Sequence, residues 1–138
     1  MAVTPNSIVS PQAVKSRTAL ATVAKTTFTD ATNAVLLVTA GANGSVVYGI
    51  TAAARATITA SKLQIYRSSD SGTTLVLIRS RTMAAYTMAN TDAQTEVDMG
   101  WSESTPLRLQ TGDSLYCAAA VVPAGAVGVA FDVQYEDL

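Results

Sequence analysis

The stretch LQIYRSSDSGTTLVLIR, residues 63–79, places two runs rich in aliphatic residues on either side of a short polar cluster. Within that cluster Asp70 can accept a hydrogen bond from the backbone two residues farther on, and Gly72 can adopt a positive φ without steric cost. Two such runs joined by a turn of this composition predict an antiparallel β-hairpin. A hairpin favours an antiparallel β-fold, since parallel strands need long crossover segments between them.

A second turn is indicated by VTAGANGSVVYGI, residues 38–50. Asn43-Gly44 is a strong signal for a two-residue hairpin turn, because both residues tolerate positive φ. Gly-x-x-Gly also occurs in phosphate-binding loops, but there a helix follows and turns its free N–H groups toward the anion. Val46, Val47 and Tyr48 follow here and are typical of a strand. We therefore predict a second hairpin, with this turn between its two strands.

Similar runs rich in Val, Ile, Thr, Tyr and Leu recur along the chain at intervals of roughly ten residues, which is typical of an all-β protein. Residues 82–94 are expected to form a loop or a short helical turn. Eight or nine strands without crossover helices predict an antiparallel two-sheet sandwich that is jelly-roll-like. The expected strands cover residues 18–28, 34–40, 45–54, 56–67, 73–82, 94–100, 105–110, 114–122 and 127–135.

The first seventeen residues differ from the rest, because they contain Pro5 and Pro11 among small polar residues and isolated aliphatics. Each proline fixes its own φ and favours extended geometry in the residue before it. We therefore predict an extended N-terminal arm, residues 1–17, followed by a single β-sandwich domain, residues 18–138. The start of the chain lacks the apolar core of a signal peptide, and no apolar run is long enough to span a bilayer. We expect a soluble protein with no membrane partner.

The composition is poor in charge, with 14% charged residues where about 25% is usual. A surface with few charges suits a subunit of a larger assembly, and equally a monomer coated with Thr and Ser. The net charge is −1 and the nine basic residues are scattered. Binding to nucleic acid would require a continuous basic surface, so we expect no nucleic-acid partner.

Residues that support catalysis are scarce in this chain. Histidine is absent, which removes the commonest general base near neutral pH and the commonest zinc ligand. The single cysteine, Cys117, lies in the apolar run LYCAAAVV, where a thiol most often packs as a small hydrophobic group. We therefore expect no enzyme activity, no catalytic residue and no cofactor.

Acidic and aromatic residues near the middle of the chain offer weaker alternatives. Asp98 and Glu103 flank Trp101, and a carboxylate pair beside an aromatic ring is typical of sugar-cleaving sites; solvated surface carboxylates are the simpler interpretation. Asp92 and Glu96 lie close by, but the Asp-x-Asp-x-Asp-Gly pattern of a calcium loop is missing. We expect no metal site.

Two strands have aliphatic residues on both faces, namely AVLLV (residues 34–38) and LVLI (residues 75–78). Because neighbouring side chains of a strand point to opposite faces, the face turned away from the core must also be covered. A neighbouring subunit, the arm or a loop of the same chain would serve. The residues expected to face another subunit are Leu36, Val38, Val76 and Ile78. In SKLQIYR, by contrast, Leu63 and Ile65 alternate with polar residues, so we expect the outer face of that strand to be exposed to water.

Five motifs follow one another along the chain, namely TPNSIVSPQ (4–12), VTAGANGS (38–45), LQIYRSSDSGTT (63–74), MAAYTMA (83–89) and PLRLQTGDSLYCAAAV (106–121). With this ordered set the chain resembles small virion proteins of tailed bacteriophages. The last segment, from Pro106 to Leu115, also looks like the strand–Gly-Asp–strand turn of many jelly rolls. Members of the family are described as head decoration, cement or minor capsid proteins.

The resemblance implies a non-enzymatic β-sandwich that binds the outside of the phage head at capsomer junctions, as a homotrimer, and stabilises the capsid. Its partners would then be the major capsid protein and other copies of itself, on a virion whose components are made in the host cytoplasm. The arm would contact the capsid or a neighbouring subunit. The arm residues expected to make this contact are Val3, Pro5, Ile8, Val9, Pro11 and Val14. A tail-associated or head-fibre subunit and a host-surface carbohydrate-binding module remain the alternatives.

Overall fold

A computed structural model describes residues 13–138 of the protein. This part of the chain contains nine β-strands and one short 3₁₀ turn, Ala124–Ala126. The strands form two antiparallel sheets that pack as a sandwich, which confirms the predicted all-β class. The strands are β1 (Ala13–Ala21), β2 (Val35–Thr39), β3 (Ser45–Ala54), β4 (Ser61–Ser68), β5 (Val76–Met83), β6 (Glu96–Asp98), β7 (Leu107–Leu109), β8 (Ser114–Ala119) and β9 (Val129–Asp137).

The strand pairing is nested. Sheet A has the order β1-β9-β3-β6, with β7 also paired to β3, and sheet B has the order β2-β8-β4-β5. The first strand thus pairs with the last, the second with the eighth, the third with the seventh and the fourth with the fifth. These nested pairs alternate between the two sheets, so the chain crosses the sandwich repeatedly.

The core lies between the sheets and is almost entirely aliphatic and aromatic. Leu63 and Ile65 of β4 belong to this core together with Phe131 and Val133 of β9, and all four are fully buried. Burying one such side chain stabilises the fold by about 1.5–3 kcal/mol relative to leaving it in water. The alternation seen in β4 therefore does select the core face, as the sequence predicts.

The hairpin predicted from residues 63–79 is confirmed, because β4 pairs with β5 from Ser61↔Met83 to Arg67↔Val76. In the turn, the amide of Gly72 donates to Ser68 Oγ at 2.8 Å, and the amide of Thr74 donates to Asp70 Oδ1 at 2.8 Å. The hydrogen bond from the Thr74 amide, followed by the one from Ser68, lowers the pKa of Asp70 below its usual value. Gly72 has a φ of 90°, as the turn requires.

The second predicted turn exists, but the hairpin does not. The amide of Gly44 donates to the carbonyl of Gly41 at 3.0 Å, and Gly44 has a φ of 89° while Asn43 stays at negative φ. The strands on either side belong to different sheets, since β2 pairs with β8 and β3 with β9. The turn is therefore a corner between sheets, because long-range pairing decided the partner of each strand.

The segment that includes Gly112 and Asp113 forms a second corner, since β7 lies in sheet A and β8 in sheet B. The two corners pack against each other. Thr111 Oγ1 donates to the carbonyl of Ala42 at 2.7 Å, and the amide of Ala40 donates to the carbonyl of Asp113 at 2.9 Å. These bonds join the two sheets at one end of the sandwich.

The beginning of the domain differs from the prediction. Strand β1 starts at Ala13, inside the segment assigned to the arm, and pairs with β9 from Ala13↔Asp137 to Ala21↔Val129. It ends at Ala21, so the expected strand over residues 18–28 is wrong in its second half. Residues 22–34 instead form a long connection across the outer face of sheet B. Residues 82–94 contain no helix, and Tyr86 there forms an isolated bridge with Ile58.

Candidate functional site

The start of β1 is the part of the predicted arm that the structure describes. Val14 is 80% exposed and lines a shallow cleft of about 280 Å³ with Tyr48, Glu103 and Glu136. An aliphatic side chain this exposed at a sheet edge is available for contact with another molecule. The other residues assigned to the arm contact lie outside the described residues; they are Val3, Pro5, Ile8, Val9 and Pro11.

Hydrogen bonds and an ion pair fix the side chains that line this cleft. Tyr48 OH donates to Glu136 Oε2 at 2.7 Å, and that bond raises the pKa of Tyr48. Lys15 Nζ lies 2.6 Å from Asp137 Oδ2, and Ser45 Oγ donates to Asp137 Oδ1 at 2.6 Å. The hydrogen bond from Lys15, followed by the one from Ser45, lowers the pKa of Asp137. The first residues of β1 are thereby tied to both β9 and β3.

The predicted interface residue Val38 is not available to another subunit, because it is fully buried in the core. The pairing of β2 with β8 shifts between Leu36 and Val38, and such a bulge inserts one extra residue into a strand. As a result both Leu37 and Val38 lie in the core cluster. The prediction was wrong for Val38 because a bulge interrupts the strict alternation on which it depended.

The other three predicted interface residues are partly or largely accessible. Val76 is 59% exposed and lines a cleft of about 270 Å³ together with Ile78 and Arg67. Leu36 lines a different cleft of about 280 Å³ beside Tyr116. These residues are separated along two surface regions of sheet B, so the structure does not bring the whole predicted set together.

A buried polar cluster occupies the outer face of sheet B, where exposure to water was expected. Lys25 in the covering connection is fully buried. Its ammonium donates to the carbonyl of Asp30 at 2.8 Å, to Asp30 Oδ1 at 3.0 Å and to the carbonyl of Thr32 at 2.7 Å. The ammonium also lies 5.3 Å from the centre of the Tyr66 ring. All three donors of the buried charge are therefore satisfied, as a buried ammonium requires.

The strand beneath completes this cluster. Gln64 and Tyr66 are fully buried, and Gln64 Nε2 donates to the carbonyl of Lys25 at 3.2 Å while Tyr66 OH donates to Gln64 Oε1. Burial, followed by the charge of Asp30, raises the pKa of Tyr66 to about 12. The prediction of a wet outer face was wrong because a loop of the same chain covers it.

Asp30 is the exposed end of the cluster. Hydrogen bonds from Thr27 Oγ1, from Lys25 and from the Thr32 amide lower its pKa to about 2. The sequence holds a modest signal for this arrangement, since Thr27, Asp30 and Asn33 are typical of turns. That signal argues against continuing the first strand to residue 28.

The residues considered for catalysis or metal binding do not form one site in the structure. Asp98 Oδ1 accepts a hydrogen bond from the amide of Gly100 at 2.7 Å, whereas Glu103 lies in the cleft with Val14. Trp101 is only 7% exposed, and the Arg79 guanidinium lies 4.3 Å from its ring centre. Within residues 13–138, no group of three or more Cys, Asp or Glu side chains is placed to hold a metal ion.

Cys117 is fully buried in the core, which confirms the prediction that it packs as a small hydrophobic residue. Burial raises the pKa of its thiol to about 12. Nucleophilic chemistry requires the thiolate, so this side chain is unsuited to it in the folded protein.

Comparisons with protein-family models, with curated proteins and with solved structures found no match to this chain. Among residues 13–138 there is no helix of the length and apolar character needed to cross a membrane.

Proposed function

We propose that the protein is a non-enzymatic structural subunit of a tailed-bacteriophage virion. Its most direct role is that of a head decoration or cement protein, which binds the outside of the capsid at capsomer junctions and stabilises it. The motifs that resemble phage virion proteins support this role. The nested strand pairing supports a jelly-roll-like connectivity, in which a long hairpin is rolled so that its successive pairs alternate between two sheets.

The observation that carries the proposal is the position of β1. This strand forms one edge of sheet A, so within residues 13–138 only one side of its backbone is hydrogen-bonded to another strand. The segment that precedes it, residues 1–12, contains three aliphatic residues and two prolines suited to surface contact, namely Val3, Ile8, Val9, Pro5 and Pro11. An edge strand can accept main-chain hydrogen bonds from an extended segment of a partner protein. If a neighbouring subunit pairs with the free edge of β1, the arm that precedes β1 would also lie beside that subunit.

The proposed mechanism is clamping. The arm residues contact the capsid floor or a neighbouring copy, and the exposed Val14 continues that contact onto the domain. Ordering a free segment costs about 1–2 kcal/mol of backbone entropy per residue, so each arm contributes modestly to the contact. Many copies acting on the same seams between capsomers together resist opening of the shell.

The proposed oligomer is a homotrimer, as the threefold and quasi-threefold symmetry of capsid junctions suggests by analogy. Val76 and Ile78 on edge strand β5, together with Leu36 on edge strand β2, are its proposed contact residues. Light scattering of the purified protein tests this part of the proposal. A monomer at every concentration would contradict a trimer formed before capsid binding.

Removing the arm tests the clamp directly. Deletion of residues 2–12 leaves β1 and the Lys15–Asp137 ion pair in place, so circular dichroism and the midpoint of thermal unfolding should hardly change. Cosedimentation with heads that lack the protein should fall to background. A matched Val14→Ser variant should weaken binding partially without affecting the fold. Full-affinity binding by the truncated protein would contradict the arm's role.

Labelling intact virions with an antibody against this chain separates the proposal from its alternatives. Label on the head supports a decoration protein, and label on the tail or on fibres supports a subunit of those structures. Heads lacking the protein should also release their genome at a lower temperature than complete heads. For a carbohydrate-binding module, the covered position of Trp101 is unfavourable, since sugar stacking needs an accessible aromatic face.

A further inference from the structure

Two arginines lie on the inward face of an edge strand. Arg79 pairs with Ile65 and Arg81 pairs with Leu63 in the β4–β5 ladder. Directly opposed residues of a ladder share a face, and both Leu63 and Ile65 face the core. Since β5 is the outermost strand of sheet B, the two side chains lie at one edge of the sandwich.

The guanidinium groups converge on one point beside the loop that follows β6. A Cβ atom placed on Gly100 would lie 2.5 Å from Arg81 Nη2 and 2.7 Å from Arg79 Nη1. The two nitrogens are therefore within roughly 5 Å of each other, where like charges repel appreciably. Gly100, with a φ of 100°, leaves the room that this close approach needs.

Arg79 is held in a fixed orientation. Its Nη1 donates to the carbonyl of Met99 at 3.1 Å, and its guanidinium stacks 4.3 Å from the centre of the Trp101 ring. Arg81 is the more exposed residue of the pair. One guanidinium group is thus pre-oriented and the other is accessible from solvent.

No carboxylate of this chain forms an ion pair with either arginine. The ion pairs within residues 13–138 join Lys15 to Asp137, Lys25 to Asp30 and Arg67 to Asp113. The neighbouring Asp98 accepts its hydrogen bond from the Gly100 amide, and residues 1–12 contain neither Asp nor Glu. Within residues 13–138, the two positive charges are therefore close together with no carboxylate oxygen within 4.0 Å of either one.

We infer that Arg79 and Arg81 form a binding site for a carboxylate group, supplied by an acidic side chain of the capsid protein on which this subunit sits. Guanidinium groups match the planar, two-oxygen geometry of a carboxylate and bind it with paired hydrogen bonds. A nucleic-acid backbone would need further basic residues in line, and the basic residues of this chain are scattered. The identity of the partner rests on the proposed function, whereas the carboxylate chemistry rests on the geometry alone.

Inward-pointing charges on an edge strand can also serve simply to prevent strand-to-strand aggregation. That role requires only the charges and predicts no specific response to a carboxylate. Trp101 is the single tryptophan of the chain and lies against Arg79, so its fluorescence reports on this site. Acetate is the simplest probe of the two interpretations.

The first experiment titrates the full-length protein with sodium acetate, using sodium chloride at equal ionic strength as the reference. A saturable change in Trp101 fluorescence is expected with acetate only, and Arg81→Gln should weaken the response at least about tenfold by removing one of the two donors. Arg17→Gln, on the distant strand β1, is the matched control and should respond like the unmodified protein. Equal responses to acetate and chloride, or an unchanged response of the Arg81 variant, would overturn the inference.

The second experiment measures cosedimentation with heads that lack the protein. Arg81→Glu should reduce binding at least about tenfold, and Arg55→Glu, at an exposed position that belongs neither to the arm nor to β1, should not. Undiminished binding by the Arg81 variant would overturn the assigned partner and leave the decoration role standing. Failure of the unmodified protein to bind heads would instead overturn the proposed function, and the acetate titration would still decide whether the arginine pair is a carboxylate site.

Discussion

The two outer faces of the sandwich differ, although the strands beneath them carry similar mixtures of polar and apolar residues. On sheet A the outward side chains pair at the surface, as when Thr18 Oγ1 donates to Asp132 Oδ1 at 3.1 Å. On sheet B, residues 22–34 cover the strands, and the polar side chains of Gln64 and Tyr66 are fully buried with the ammonium of Lys25. The strand pattern alone therefore does not determine whether an outer face is wet.

Sheet B shows how a polar outer face can be buried without a large loss of folding stability. A charge removed from water destabilises a fold strongly unless hydrogen bonds replace its hydration. The carbonyls of Asp30 and Thr32 and the carboxylate of Asp30 supply those bonds to Lys25. The covering connection is thus held by a polar cluster, with only a small apolar cluster around Tyr66, Leu75 and Ala118 beside it.

Replacing the buried lysine is the strongest test of this contrast. Lys25→Met keeps the length of the side chain but removes its three hydrogen bonds, and should lower the free energy of unfolding by about 2–4 kcal/mol. Urea unfolding measures the change. The matched control on sheet A is Lys15→Met, because the Lys15 side chain is 46% exposed and exposed ion pairs contribute little. Equal losses of unfolding free energy in the two variants would contradict the proposed difference between the outer faces of sheets A and B.

A smaller effect is expected from the tyrosine hydroxyl groups. Tyr66→Phe leaves the buried side-chain oxygen Oε1 of Gln64 without its hydrogen-bond donor, which should lower the free energy of unfolding by about 1–2 kcal/mol. Tyr48→Phe removes a comparable bond to Glu136 on sheet A, where water can replace it, so its denaturation curve should almost overlay that of the unmodified protein. A larger loss of unfolding free energy for Tyr48→Phe than for Tyr66→Phe would contradict the proposal that hydrogen bonds contribute more to stability on sheet B than on sheet A.

The smallest expected effect concerns the dependence of stability on pH. The pKa of Asp30 is about 2 in the folded protein and 3.8 without these contacts, so the folded state favours the ionised form. The stabilisation is present above the unfolded pKa and is lost as the pH falls from about 4 to about 2. Asp30→Asn should remove this part of the acid dependence in urea unfolding, and Thr27→Val should remove a fraction of it. An acid dependence identical in all three proteins would show that the contacts do not act on Asp30.

Much of the fold was predictable from local patterns. Alternation placed Leu63 and Ile65 of β4 in the core, and Ser68, Asp70 and Gly72 marked a true hairpin turn. These predictions succeeded because a strand's alternation and a turn's φ requirements depend on residues close together in the chain.

Other features were not predictable in this way. The bulge in β2 that buries Val38 leaves no mark in AVLLV, and the Asn43-Gly44 turn looks the same whether it joins strands of one sheet or of two. The residues of the candidate sites were the hardest to predict from the sequence. Of the expected contact residues, Val14 and Val76 are well exposed, whereas the Arg79–Arg81 pair became recognisable only when β5 and the loop at Gly100 lay side by side.

The sequence by itself determined that this chain is an antiparallel β-protein, where most of its strands and turns fall, and that its single thiol belongs to the core. The tertiary structure alone decided that β2 and β3 belong to different sheets, that residues 22–34 cover sheet B, and that two arginines meet without an ion pair to any carboxylate of the described chain. The physical reason is the range of the interactions. Turn and strand preferences act between near neighbours, whereas pairing and burial join residues such as Ala13 and Asp137 from opposite ends of the described chain, and no local pattern records those choices.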